Sequence, residues 1–357
     1  MTKRGAIIGF GLVASEGHSP AYQESKEIEI VAIVDPSDER RKLAQQKFPS
    51  AQTFTSVQEL YSSSIALDFV DICTPPASHT ALALGALAQG LHVLCEKPLC
   101  LSTQEYLSIA EAAAQANRTV FTVHNWKYAP IYQKAFEILR SNQIGQPFHV
   151  EIFTLRNSHC KGATQSQATT TAVAEDWRTN RAVAGGGILV DHGWHSFYLL
   201  MNLADADPDS ALSRMTLADD SELEDSAQTL IQFPSVSGFI YLTWKATQRR
   251  NTVVIQGDRG TLLLDDDRIL LTTTNGGKEE IIFESALSAG SHHAEWFKGL
   301  LPDFYEEMTI PSKRGMNLRE AGWCVALTTA SYESNMRGFK DVEVVFPGAK
   351  TLAPVAL

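Results

Sequence analysis

KRGAIIGFGLVASEG, Lys3 to Gly17, is the stretch on which the reading of the whole chain turns. Two basic residues, an apolar run and the small-residue step Ala14-Ser15 have the layout of an export signal that is cleaved and lost. The same letters also form a short buried strand, Gly5 to Phe10, that turns through Gly9-Phe10-Gly11 and enters a helix near Ala14. That is the Gly-x-Gly-x-x-Ala pattern of a dinucleotide-binding turn. In it Gly9 makes the turn, Gly11 lets the backbone approach a pyrophosphate, and Ala14 permits close packing of the helix.

The residues downstream favour the second reading. The next apolar segment ends at Asp35, 21 residues beyond Ala14, near the ~20 expected for a carboxylate that takes the adenosine ribose hydroxyls. A carboxylate there disfavours an extra 2′-phosphate, so NAD is expected rather than NADP. Arg40 and Arg41 are the residues that could reverse this preference. Strand signals at 5–10, 28–35, 67–74, 92–96 and 119–124 alternate with helical segments at 37–48, 77–89 and 102–116. This alternation implies βαβ units around a doubly wound parallel sheet. Ser102 and Glu105 form a capping box at the third helix.

With 357 residues the chain exceeds one ordinary core, and two domains are expected, 1–123 binding NAD and 124–357 binding substrate. The net charge of −11 repels phosphate backbones, which argues against nucleic acid as a partner. No apolar run reaches the roughly 18 residues of a membrane span. Five cysteines, an odd number without Cys-x-x-Cys spacing, fit reduced thiols in the cytoplasm better than a disulfide framework.

The second half begins with a helix at 132–140 and a strand at 148–155, followed by a Ser/Thr-rich loop at 163–174. Six strand-like runs between Ala227 and Glu284 leave no room for long crossovers. They are expected to pair antiparallel as a large meander. The last helical signal, 318–336, is apolar on more than one face and is expected to be buried, with the first domain as one candidate partner.

Three clusters carry chemistry. Cys73-Thr74-Pro75 and Glu96-Lys97-Pro98 fall at the carboxyl ends of consecutive strands, the edge where open α/β sheets bind ligands. In AVAGGGILVDHGWH, Asp191 and His195 lie four apart, on one face if helical, so that the carboxylate could orient an imidazole suited to accept a hydroxyl proton. Asp191, His192 and His195 lack a Glu-centred zinc motif, and His292-His293 sit in a separate stretch, so no metal is expected.

GFGLVA, TPPASH, CEKPL and GGGILVDHGWH, in this order over nearly the whole chain, resemble the Gfo/Idh/MocA family of oxidoreductases. The resemblance implies a Rossmann domain followed by an α+β domain with a large open, mainly antiparallel sheet, which assembles dimers or tetramers. It implies cofactor contacts from Gly9, Phe10, Gly11, Val13, Ala14, Asp35, Thr74, Pro75, His79, Glu96 and Lys97, with a cis bond before Pro98. Lys97 would touch both the nicotinamide ribose and the substrate, with His195 as base or acid and Asp191 beside it. Asn125 matches the asparagine of an Asn-Arg-Arg segment. Here Trp126-Lys127 replaces the arginines and Pro76 a frequent asparagine, which with His124 implies a pocket of its own specificity. Glu175-Asp176-Trp177-Arg178 resembles a substrate-bordering segment, and Arg156 and Asn157 are further candidates.

The function so implied is NAD-dependent hydride transfer with a secondary alcohol of a sugar, inositol or related polyol. A non-catalytic dinucleotide sensor and an NAD-assisted glycosidase are the alternatives on the same fold.

Overall fold

The computed structural model describes residues 2–157, 177–218 and 221–349. The loop expected at 163–174 and the pair Glu175-Asp176 lie outside these residues.

Two sheets organise the chain. The first contains β1 (Lys3–Ile8), β2 (Ile28–Val34), β3 (Gln52–Phe54), β4 (Phe69–Ile72), β5 (His92–Cys95) and β6 (Val120–Thr122). All are parallel, in the order β3-β2-β1-β4-β5-β6. The Lys3–Gly17 segment thus supplies a central strand, whose Ala6 and Ile7 have no exposed surface. Its helices are α1 (Ser19–Glu24), α2 (Asp38–Lys47), α3 (Val57–Ser62), α4 (His79–Ala88) and α5 (Thr103–Ala116). The Ser102 hydroxyl accepts from the Glu105 amide at the start of α5, and Glu105 in return accepts from the Leu101 amide. The strand β3 and helix α3 have no counterpart in the sequence reading, because QTF is too short to show a period.

Next come α6 (Pro130–Arg140), β7 (Pro147–Leu155), α7 (Arg181–Ala184) and α8 (Trp194–Ala204). The remaining strands are β8 (Ser210–Leu217), β9 (Glu224–Gln232), β10 (Ser237–Thr243), β11 (Arg250–Gly257), β12 (Gly260–Asp265), β13 (Arg268–Thr273), β14 (Lys278–Ile282) and β15 (Val342–Glu343). They form a second sheet in the order β14-β13-β12-β11-β7-β10-β9-β8-β15. The structure corrects the expected uninterrupted antiparallel meander. β7 inserts between β10 and β11, antiparallel to β11 and parallel to β10. Skipping one strand requires the 244–249 connection to cover only about 10 Å, which a short loop spans easily.

Two helices complete the chain, α9 (Ala294–Thr309) and α10 (Met316–Met336). Gly299 and Pro302 inside α9 obscure its helical signal in the sequence. Its Phe297, Leu300, Phe304 and Met308 pack with Ile7, Phe69 and Phe121 of the first sheet. The helix α10 also returns to the first sheet. Asn317 accepts from the Thr122 amide at 2.6 Å and donates to the Thr122 carbonyl at 3.0 Å, and Tyr106 of α5 donates to the Leu318 carbonyl. Among the described residues no helix is long and apolar enough to cross a membrane.

Candidate active site

The glycine turn opens onto a cleft of about 520 Å³ that runs between the two sheets. Gly9 has φ +87°, and a Cβ there would press on Thr74 and the Cys73 carbonyl, so the turn needs glycine. At Gly11 the nearest atom to an added Cβ is Arg40 Nη1, 3.9 Å away. That open side is the cradle a pyrophosphate requires. Val13 also lines the cleft. Phe10 and Ala14 are buried beneath it, and the Phe10 ring meets Phe48 edge-on. After the turn the chain takes a π-helical course over Val13–His18 before α1.

Asp35 stands at the end of β2, but it is 1% exposed and its oxygens accept from the Phe10 and Ser37 amides at 2.8 Å each. It therefore holds the turn from beneath and, unlike Gly11 and Val13, does not itself line the cleft. Arg40 Nη1 lies 3.7 Å from it and faces the cleft.

Thr74, Pro75, Glu96 and Lys97 line the cleft at the carboxyl ends of β4 and β5. The Lys97-Pro98 bond is cis. His79 does not reach the cleft. It is buried between the carbonyls of Pro98 (Nδ1, 2.8 Å) and Thr74 (Nε2, 2.7 Å), tying the two loops together. Glu96 Oε1 is 3.1 Å from His18 Nε2, and His18 Nδ1 is 2.8 Å from Asp71, which also accepts from the Tyr22 hydroxyl. Burial alone would make the His18 ring harder to protonate, but Asp71 overcomes this and raises its pKa well above the ordinary value. Asp71 therefore favours the charged form of the ring, which stacks on Phe297. His18, Asp71 and Cys73 are close enough to share an ion. Their separations of 2.8 to 3.4 Å are those of a hydrogen-bonded network.

Gly185, Gly186 and Gly187 deliver the chain to the segment that carries Asp191 and His195. The Gly187 and Leu189 amides donate to buried Glu224 at 2.7 and 3.1 Å, which fixes the start of a π-helical turn at Leu189–Gly193. Asp191 lies on this turn and meets Lys97. Lys97 Nζ donates to Asp191 Oδ1 and to the Asp191 carbonyl, each at 2.8 Å. Burial would raise the Asp191 pKa, but Lys97 and then His192 hold it well below the carboxylate range.

The structure corrects the expected pairing of Asp191 with His195. Asp191 is engaged by Lys97 and by His192 Nδ1, 3.2 Å away. His195 Nδ1 instead lies 2.8 Å from the Tyr198 hydroxyl, which accepts from the Trp126 amide at 3.1 Å. The His195 ring stacks on Trp126 with centroids 4.7 Å apart. Burial first, and the charge of Lys97 second, push its pKa well below the ordinary value. His195 thus presents to the cleft an imidazole whose surroundings disfavour its charged form.

The other substrate candidates gather at this end. Asn125, Trp126, Arg156, Trp177 and Arg178 all line the cleft. His124 does not, being buried with its ring nitrogens on Glu320 and Trp194. Trp244, Arg249, His292 and His293 line it as well, so the His292-His293 stretch, separate in sequence, does reach the site. A wider groove of about 730 Å³ beside Lys127, Asp303 and Arg319 shares none of these residues.

Comparisons with known proteins agree with this layout. Residues 3–124 match the oxidoreductase family with the NAD-binding Rossmann fold, and residues 132–263 match its GFO/IDH/MocA C-terminal domain. Oxidoreductase P35 of Formosa agariphila is 29% identical over 54% of this chain and 58% of its own length. D-apiose dehydrogenase of Paraburkholderia graminis is 32% identical over 41% of this chain and 38% of its own. The chain thus matches only about half of these relatives' length or less. Levoglucosan dehydrogenase, solved with NADH and levoglucosan, superposes with a TM-score of 0.81 at 18% identity over 96% of this chain and 100% of its own. The chain, a Rossmann sheet whose glycine turn faces a lysine and a histidine across one cleft, belongs to the Gfo/Idh/MocA oxidoreductase family.

Proposed function

We propose that the protein is an NAD-dependent dehydrogenase that acts on a secondary alcohol of a sugar, inositol or related polyol. The observation that carries this reading is the neutral His195 in one cleft with the Lys97–Asp191 pair and the open side of Gly11. When bound, NAD supplies the hydride acceptor. His195 takes the hydroxyl proton, and Lys97 offers a charged donor to the oxygen as negative charge develops there. Asp191 holds Lys97 in place. Relatives named D-apiose dehydrogenase and D-glucoside 3-dehydrogenase support a sugar substrate.

NAD is preferred over NADP in this reading because the Asp35 carboxylate would meet a 2′-phosphate unfavourably, although Arg40 lies beside it. A cytoplasmic location is supported by four free cysteines among the described residues. A homodimer or homotetramer through the second sheet is supported by that sheet's apolar open face.

The test is a panel of aldoses, polyols and inositols with NAD and NADP in parallel, following reduced nicotinamide absorbance. His195→Asn or Lys97→Ala should lower turnover about 10²- to 10⁴-fold while NADH still binds. Wild-type rates in both variants would sink the assignment, and activity with NADP alone would refute the cofactor preference.

A further inference from the structure

Besides Arg178, the substrate end of the cleft holds the guanidinium groups of Arg156 and Arg249, which the dehydrogenase chemistry leaves unused. Arg156 follows β7 directly and is 4% exposed. It donates to the Leu155 carbonyl at 2.8 Å, to Asn251 Oδ1 at 3.1 Å and to His192 Nε2 at 3.1 Å. All three acceptors are uncharged, and among the described residues no carboxylate lies within 4.0 Å of its guanidinium. A guanidinium has five N–H donors, so two remain, one on each terminal nitrogen. Arg249, on the connection from β10 to β11, donates to the Gly290 carbonyl at 3.0 Å, and its Nε is buried without a partner. Burial and then the nearby charge of Arg249 pull the Arg156 guanidinium down to about 10.

The carboxylates near this pair are committed elsewhere. Asp191 holds Lys97 at 2.8 Å, Asp265 forms a two-pronged pair with Arg250, and Asp266 accepts from Ser288 and from the Asn251 amide. Burial and the neighbouring Arg249 disfavour the Arg156 charge more than Asp191 and Asp266, which act on it without a direct bond, favour it, and in a desolvated cleft that is a cost. A ligand anion placed between Arg156 and Arg249 removes that cost, and the planar fork of a guanidinium matches a carboxylate best.

The location identifies the ligand. Arg156 bonds His192, and its guanidinium lies 5.7 Å from the Trp126 ring, which stacks on the base His195. The charge therefore lies at the substrate end, apart from the Gly11 turn that faces the cofactor phosphates. Trp126, Trp244 and His293 supply flat apolar walls for the faces of a sugar ring.

We infer that the substrate is a sugar or polyol acid whose carboxylate is bound by Arg156 and Arg249 while a hydroxyl-bearing carbon is presented to His195. This rests on the dehydrogenase reading for the reaction, but its anion site can be tested by binding alone. The NADH-loaded protein is titrated with D-glucuronate, D-galacturonate and D-gluconate, each beside its neutral parent, and with D-glucose 6-phosphate, following reduced-nicotinamide fluorescence and heat.

At least one acid should bind about tenfold or more tighter than its parent, the size expected of one charge-assisted contact. Arg249→Gln should erase that margin, with retained NADH binding as the control for folding. Equal affinity of acids and parents, no binding by any acid, or tightest binding by the sugar phosphate would overturn the inference. Acid-selective binding with no turnover of any compound would instead refute the dehydrogenase reading and leave the anion site standing. Turnover of neutral sugars with no acid preference would do the reverse.

Discussion

His195 can accept a proton only while its imidazole is neutral, and its surroundings enforce that state. Burial disfavours the charged ring, and Lys97 repels it further. Its folded pKa therefore lies well below the ordinary value of about 6.5, and the ring is neutral from there upward. In the alcohol-oxidising direction kcat/KM should show no inflection near pH 6.5 and should fall only in more acidic solution. A profile measured from pH 5 to 9 checks this, and a half-point near 6.5 would mean an unperturbed histidine is at work. His195 and Lys97 are legible in the sequence because their neighbours mark strand and helix ends. Tyr198, the partner that orients the ring, carries a weaker signal, although it lies three residues along the same helix, where side chains meet. The charge at Asp191 is the more conspicuous partner in the sequence, but it serves Lys97 instead.

The helix α10 ties the second half of the chain to the first through Glu320. Its carboxylate accepts from Lys127 at 2.7 and 3.0 Å, from Asn202 at 3.0 Å, and lies 3.0 Å from His124 Nδ1. Burial would raise the Glu320 pKa, yet Lys127 and then His124 hold it well below the carboxylate range. A depressed folded value means that the stabilisation is complete above the unfolded value of about 4.3 and disappears as pH falls through the folded one. Glu320→Gln should cost about 3 kcal/mol at neutral pH by stranding buried His124 and half-buried Lys127. It should also flatten the acid limb of stability, both read from urea unfolding between pH 3 and 8. An unchanged acid limb would show that the network contributes nothing. The element signals that fail share a physical cause. Pro302 masks α9, the long-range contact with Lys97 takes Asp191 away from His195, and the insertion of β7 is a long-range choice that no local pattern encodes. Where period and caps act locally, as in β2, α2 and α5, the sequence reading falls within one or two residues of the structure.

The second sheet presents one face to α6, α8 and α10, and among the described residues no helix covers the other. On the open face Phe153 of β7 meets Phe239 and Tyr241 of β10, with ring centroids 5.9 and 6.4 Å apart, and Leu230 of β9 beside them is 49% exposed. A contiguous apolar surface of this kind on an ordered sheet is the signature of an association face. β7 links this face to the chemistry. Its alternate residues Ile152 and Thr154 point to the core, Phe153 points outward, and the strand ends at Arg156 in the cleft. Arg156 is thus the residue through which association on this face would reach the cleft, while the glycine turn belongs to the other sheet. Phe239→Glu combined with Leu230→Arg should convert a dimer or tetramer into a 39.2 kDa monomer by light scattering. In that monomer KM for substrate should rise while NADH affinity is retained. A wild-type protein that is already monomeric at micromolar concentration removes the premise. A variant monomer with unchanged KM would show that β7 carries no influence from the open face to the site.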